Sequence, residues 1–413
     1  MKPQTRGIKA PARGIYLLLA ALLMAGLAFA LLQVVELSQQ VQKQTEIEQV
    51  AQYAAEALGI IAARDLNIKA ISNRAMVANE MAIGQIIGFH TWYEMTRETS
   101  TNMALISAWI PYVNSVTFQI ARLLNQLQQP MRTGIQAALA LQRAVISGLS
   151  GFQWAFHQAA WLSSIATATD IVEGTEKDLE IRLLNHQTLV DAEYLWLRMQ
   201  KHSRDLEHQE DYAQMVSDSR DSFSERRTYS WVNVLGSKVY RAGGSEIKVN
   251  NQGQLVWQSL DTHQLHLDLW VTNAYIPIGG GASYLTEALP RRRSTEGFGD
   301  SYQLNWTTSR ATARRGHRFL LQPQAPAYYR LQDAEGITKK PPQITLVVQE
   351  RGGSDDEPRL WGMGRSEIYF QRPNRFWPRA DDSIERANLH NALWQVRPKN
   401  ISEVDRKLIG AQL

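Results

Sequence analysis

The stretch "IYLLLAALLMAGLAFALLQVV", Ile15–Val35, is apolar except for Gln33, and its reading decides where the rest of the chain folds. At about 1.5 Å of rise per residue, a helix of this length spans the roughly 30 Å hydrocarbon layer of a bilayer. Ala28, Phe29 and Ala30 fit the small-x-small rule of a cleaved signal peptide. Leu31, Leu32, Val34 and Val35 carry the apolar run past that point, so an uncleaved single-pass anchor is the expectation. Lys2, Arg6, Lys9 and Arg13 precede the run without an acid, whereas Glu36, Glu46 and Glu48 follow it. The positive-inside bias then leaves the N-terminus in the cytoplasm and sends the bulk across the membrane, into the periplasm of a bacterium.

With 413 residues, 44% of them hydrophobic, the chain is long enough for two domains and a substantial core. The formal charge of +4 is a mild excess, and the arginine clusters Arg226–Arg227, Arg291–Arg293 and Arg314–Arg315 read as solvated surface. No nucleic-acid partner is expected. The absence of cysteine excludes disulfides, thiolate metal sites and cysteine nucleophiles.

Proline separates two kinds of material. Only Pro111 and Pro130 occur between Ala12 and Ile276, and ten prolines follow from Pro277 onward. The first part therefore reads as helix and the second as strands and loops. From Ile47 a seam runs through Val50, Ala54, Ala57, Ile61, Arg64, Ile68, Ile71, Ala75, Ala78 and Ala82 in steps of three and four, apolar except at Arg64. That is the spacing of a helix packed on another helix, and its alanines permit close approach. Two readings stand: a hairpin within the chain, or packing into an assembly of similar helices. Asn67, Asn73 and Asn79 are spread around the helix and are expected to bond neighbouring helices or cap breaks near Gly84 and Gly88. Ile135–Val172 carries too many glutamines for a second span and reads as buried helix, with Trp92, Trp109, Trp154 and Trp161 in the core.

After Arg227 the period changes to two. "HQLHLDLWV" alternates as a half-buried antiparallel strand, and "EIKVNNQGQLVWQSL" reads as a hairpin turning at Asn251–Gly253. "YSWVNVL", "SYQLNW", "QITLVVQE" and "SEIYFQ" read as further strands, with turns at "RAGG", "IGGG" and "RGGSDDEP". The expected class is α+β: cytoplasmic residues 1–14, a transmembrane helix 15–35, a helical stalk and domain 36–225, an antiparallel β domain 226–398 and a tail 399–413.

A search for chemistry returns no site. "GGGAS" at Gly279–Ser283 lacks the strand, helix and Lys-Ser/Thr context of a phosphate loop and reads as a flexible loop. His263 and His266 lie three apart in a strand and point to opposite faces, so they do not share a metal. Asp355, Asp356 and Glu357 read as a solvated hairpin tip. No G-x-S-x-G or H-E-x-x-H motif occurs. No enzyme activity, cofactor or metal is expected.

"VAQYAAEALGIIAARDLN" (Val50–Asn67), "RDLNIKAISNRAMVANEMAIGQ" (Arg64–Gln85), "WIPYVN" (Trp109–Asn114), "SEIYFQRP" (Ser366–Pro373) and "ANLHNALWQVR" (Ala387–Arg397) stand at both ends of the chain. In these the sequence resembles the TadE/TadG-like proteins, in particular the TadG-related members, of the bacterial tight-adherence (Flp) pilus system. The resemblance implies an inner-membrane, periplasm-facing component of pilus assembly whose partners are the membrane and pilin-like or pseudopilin-like proteins, with self-association as a further expectation. Two features of related proteins are missing. Leu19 stands where a type IV prepilin has glutamate, five residues after Gly14, and no Asp-x-Ser-x-Ser pattern of metal-dependent adhesion occurs. On this reading Ala54, Ala57, Ala75, Ala78 and Ala82 pack against partner helices. A membrane-tethered sensor or ligand-binding module, with Trp231, Trp257, Trp270, Trp306 and Trp361 as stacking platforms, is the alternative.

Overall fold

The absence of proline between Ala12 and Ile110 is realised as one helix, α1, running from Arg13 to Ile106 over 94 residues, about 140 Å at ideal rise. The computed structural model describes residues 13–413 except 176–177, 183–185, 235–236, 251, 270–271, 286–298, 322–324, 353–358, 374–375, 380, 382 and 412–413. From Leu17 to Val35 the apolar start of α1 is exposed, and the helix is long and apolar enough to cross a membrane. After a short turn, Pro111 opens α2, Pro111–Glu173, at the position where a missing N–H costs nothing. α2 returns along α1. Arg143 reaches Glu80 at 2.6 Å and Arg132 reaches Glu94 at 2.9 Å.

The chain then continues through β1 (Leu179–Ile181), α3 (His186–Glu193), a π-helical turn at Tyr194–Arg198, β2 (Gln200–Ser203), α4 (Leu206–Asp218) and α5 (Ser222–Glu225). Next come β3 (Tyr229–Val234), β4 (Ser237–Val249), β5 (Leu255–Leu269), β6 (Thr272–Leu285), α6 (Gly299–Leu304), α7 (Trp306–Ala313), β7 (His317–Phe319) and β8 (Tyr328–Leu331). α8 (Ala334–Lys339), β9 (Gln343–Glu350), β10 (Trp361–Phe370), β11 (Trp394–Pro398) and α9 (Glu403–Gly410) complete the fold, which is α+β. One sheet has the order β3-β4-β5-β6-β7, a second β1-β9-β10-β11, and β2 pairs with β8. Among the described residues all pairings are antiparallel except β6 with β7. The β4–β5 hairpin turns as its sequence implies: Gly253 has φ +71° and donates to Asn250 O at 2.9 Å.

Residue 225 is not an architectural boundary. β1 and β2, from the part expected to be helical, pair with β9 and β8 far along the chain. The β strands do not form a body of their own, because they close directly onto α1. Ile47, Ala51 and Ala54 of α1 pack with Leu179, Leu346 and Val348. Ala62, Ala63 and Leu66 pack with Trp196, Ile368 and Trp394. Met76, Ile83 and Ile87 pack with Leu139 and Ile146 of α2 and with Trp257 and Leu285.

Glycine makes that closure possible, which corrects two expectations. "RAGG" lies inside β4 and "IGGG" inside β6; neither is a turn, and Gly279–Ser283 is not a flexible loop. A Cβ at Gly281 would lie 2.1 Å from Thr91 O, and one at Gly279 2.7 Å from Thr99 N, so β6 seats on the α1 backbone only where no side chain intervenes. β10 seats the same way, with a Cβ at Gly364 falling 2.1 Å from Ala51 O. "SYQLNW" is helical, forming α6 and the start of α7. Gly84 and Gly88 do not break α1; their missing side chains make room for Trp257 and for Arg227 with Ser245.

Three of the four tryptophans expected in the core are exposed: Trp109 by 79%, Trp154 by 54% and Trp92 by 37%. Trp154 lies on the uncovered outer side of α2, Trp109 in the turn before it, and Trp92 on α1 beside Phe89. Arg227, expected on the surface, is buried with Asp261, which its Nη2 reaches at 2.9 Å. The clusters Arg291–Arg293 and Asp355–Glu357 lie outside the described residues.

Candidate functional site

The two motif-bearing ends of the chain meet in space. Asn67 on α1 donates from Nδ2 to Trp394 O at 2.9 Å and accepts from Trp394 N at 3.0 Å, so it is zipped to the start of β11. Two turns on, Asn73 donates to Tyr329 O at 2.9 Å and to Leu389 O at 2.7 Å, and accepts from Gln153 at 2.6 Å. Arg74 donates to Asn391 Oδ1 at 3.3 Å. The asparagines thus hold loop and strand backbone; Asn79 bonds its own helix at Ala75 O. Within the loop before β11, Asn388 Oδ1 accepts from His390 N and Asn391 N at 3.0 and 2.9 Å. Burial pushes the Glu385 carboxyl up, and hydrogen bonds from Arg372, Asn388 and Asn391 more than offset it, holding the group below its ordinary range.

This docked loop walls a groove of about 840 Å³. Its floor is Arg74, Ala78 and Met81 of α1, its far wall Met215 and Asp218 of α4, and its near wall Ile384–Asn391. Ala78 is exposed in it, and Ile384, 80% exposed, stands at its edge. Burial beside Arg74 lowers the His390 pKa to about 4, so the groove's histidine is neutral near pH 7.

The five alanines singled out from the sequence are not equivalent. Ala54 is fully buried against this chain's own β9 sheet, so it is not available to a partner helix, which corrects that expectation. Ala57, Ala75 and Ala82 are half-buried, and Ala78 alone of the five is exposed. The proposed seam is not one buried face either, since Arg64 and Ile71 also point outward. A 3.5-residue repeat drifts by about 20° per heptad around a straight helix, and the packed side of α1 is set by two sheets as well as by α2.

Sequence reasoning missed a sealed polar cluster around Lys69. Lys69 Nζ donates to Asp65 Oδ2 at 2.6 Å and Gln200 Oε1 at 2.7 Å, lies 2.7 Å from His157 Nδ1, and sits over the Tyr329 ring at 4.0 Å. Lys69 is 0% and Asp65 1% exposed. Burial lowers the Lys69 pKa to about 8 against the pull of Asp65. The groove is not lined by this cluster, which joins α1, α2 and β2. The legible signal was an Asp and a Lys four apart on an otherwise apolar helix face.

A second cleft, about 600 Å³, is lined by Leu58, Trp161, Ile165, Trp196, Ile344 and Leu346, with Glu180 and Arg351 at its polar edge. The tryptophans expected as platforms do not converge. Trp257 is buried and donates from Nε1 to Glu80 at 2.8 Å, Trp306 is stacked by Arg310, and Trp361 packs near α9. Of Trp231 only the backbone of β3 is described, and Trp270 lies outside the described residues. His263 bonds Thr99 at 3.0 Å and His266 contacts Asn305; among the described residues no group of three His, Asp or Glu is placed to hold a metal. No protein-family model, curated protein or solved structure matches this chain.

Proposed function

We propose that the chain is a non-enzymatic, single-pass component of Tad/Flp pilus assembly in the bacterial inner membrane, with its N-terminus in the cytoplasm and its body in the periplasm. The observation that carries this reading is the meeting of two of the resemblance-bearing segments: Asn67, Asn73 and Arg74 of α1 hold the Ala387–Arg397 segment beside an open groove. An anchor that continues without a break into the floor of that groove couples membrane position to partner capture. The groove receives an apolar segment of a pilin-like or pseudopilin-like protein against Ala78, where a small side chain permits close approach.

Photo-cross-linking from position 78 in whole cells tests it. Adducts with pilus components, lost when the pilin genes are deleted, are the expected result. An absence of adducts from 78, with the protein membrane-bound and folded, contradicts the reading. The cleft containing Trp161 and Trp196 supports the second reading, a membrane-tethered periplasmic module for an apolar ligand.

A further inference from the structure

α2 has two apolar faces, and the fold uses only one. Ile135, Leu139 and Ile146 are buried against α1 and the sheets. On the outer side, steps of four and three lead from Val116 through Leu127 and Gly134 to Leu141, and after one extra step of four, from Val145 through Phe152 to Ala166. Every position in that series is apolar and every one is exposed. Leu141 is 64% and Leu162 67% exposed. A helix that is apolar on two sides has neighbours on two sides.

The glycines sharpen the point. Gly134 and Gly148 lie on this outer series, and a Cβ at either would meet nothing within 4 Å. Glycine weakens a helix interior, and nothing in the single chain repays it at these positions. Small residues at heptad spacing are what two helices need to bring their backbones close.

We propose that two copies of this chain associate through the outer face of α2, parallel and in register. The charges fit a self-pair. No acid occurs between Thr99 and Thr169, Arg132 and Arg143 turn inward to Glu94 and Glu80, and the exposed Arg122 is not one of the series, so the facing positions themselves carry no charge to repel one another. The size fits as well. Val116–Ala166 is about 75 Å of helix, and a strip about 10 Å wide covers on the order of 800 Å² per copy, the amount a stable interface uses. Copies anchored in one bilayer stand side by side in the same direction, so Gly134 meets Gly134 and Gly148 meets Gly148 across a twofold axis. The pairing stands on the α2 face alone; its parallel sense rests on the anchored reading above.

The native chain has no cysteine, so single cysteines report cleanly. In membranes of the full-length protein, Gly148→Cys and Gly134→Cys are each expected to give disulfide-linked dimers on mild oxidation, while the exposed control Lys201→Cys stays monomeric. Leu141→Glu, which sets two carboxylates against each other on an open face, is expected to weaken the dimer at least tenfold in nanodiscs without changing the melting temperature. Monomeric protein at all these positions overturns the pairing. If Gly134→Cys cross-links only to Gly148→Cys in mixed samples, the copies are antiparallel, and both the parallel pairing and the shared-membrane anchor are wrong.

Discussion

Replacing Gly364 with alanine is expected to lift β10 from α1. The added Cβ would lie 2.1 Å from Ala51 O, 2.3 Å from the Ala51 carbonyl carbon and 2.4 Å from Gln52 N. Ordinary contact begins near about 3.5 Å, so strand or helix must move by more than ~1 Å. That contact also holds three hydrogen bonds: Gln52 Nε2 to Arg365 O and Arg365 N to Gln52 Oε1, both 3.1 Å, and Ser366 Oγ to Ala55 O at 2.7 Å. Overpacking a tight site costs about 1–3 kcal/mol, and each weakened hydrogen bond adds about 1 kcal/mol. The sum, on the order of 4–6 kcal/mol, is a large part of the roughly 5–15 kcal/mol that holds a domain. Gly151→Ala is the control, because its Cβ meets open space, away from the apolar series of α2, and alanine favours a helix by about 1 kcal/mol. Thermal melts of the full-length protein in nanodiscs should show Gly364→Ala about 5–10 °C below the native chain and Gly151→Ala at or above it. Equal melting of Gly364→Ala and the native chain would refute the close seating of β10 on α1.

Lys69→Met removes the cation beside the buried Asp65 carboxylate, leaving it His157 Nδ1 at 3.0 Å, and should cost about 3–5 kcal/mol, with Asp65→Asn in the same chain restoring much of the loss; thermal melts of both variants decide it. Burial lowers His90, His263 and His390 to about 4 from an ordinary value of 6.5. The unfolded chain therefore takes up protons below 6.5 that the folded chain refuses until about 4, so stability is full above that window and declines as pH falls through it. A melting temperature flat between pH 7 and pH 4 contradicts this. Ala78→Trp fills the groove floor at an exposed position, so it should leave the melting temperature unchanged while reducing recovery of pilin-like partners in pull-downs.

Much of the backbone plan was legible from local pattern. The proline-free run forms α1, and alternation around a turn ending at Gly253 forms β4 and β5. "QITLVVQE" and "SEIYFQ" fall in β9 and β10. What could not be read locally depends on partners distant in sequence. Gly279, Gly281 and Gly364 look like turn residues until a helix lies against them, and that helix belongs to a segment encoded far earlier. Lys69 looks like a surface lysine until His157 and Gln200 arrive from 88 and 131 residues away. The alanine seam was a true periodicity with the wrong angular drift, so it mixed buried Ala54 with exposed Ala78. The groove was half legible: its motif segments stood out as sequence, but only the asparagine bonds bring them together.

The central claim is that the apolar anchor and the sheet-clasped rod are one rigid helix. Spin labels on cysteines introduced at the exposed positions Ser38 and Arg74 in the otherwise cysteine-free chain test it directly, by dipolar distance measurement in nanodiscs. A continuous helix places the two positions, 36 residues apart in sequence, at about 54 Å with a single narrow distribution. A broad or distinctly shorter distribution would mean that the rod is hinged or detached where it leaves the membrane, and the account would fail.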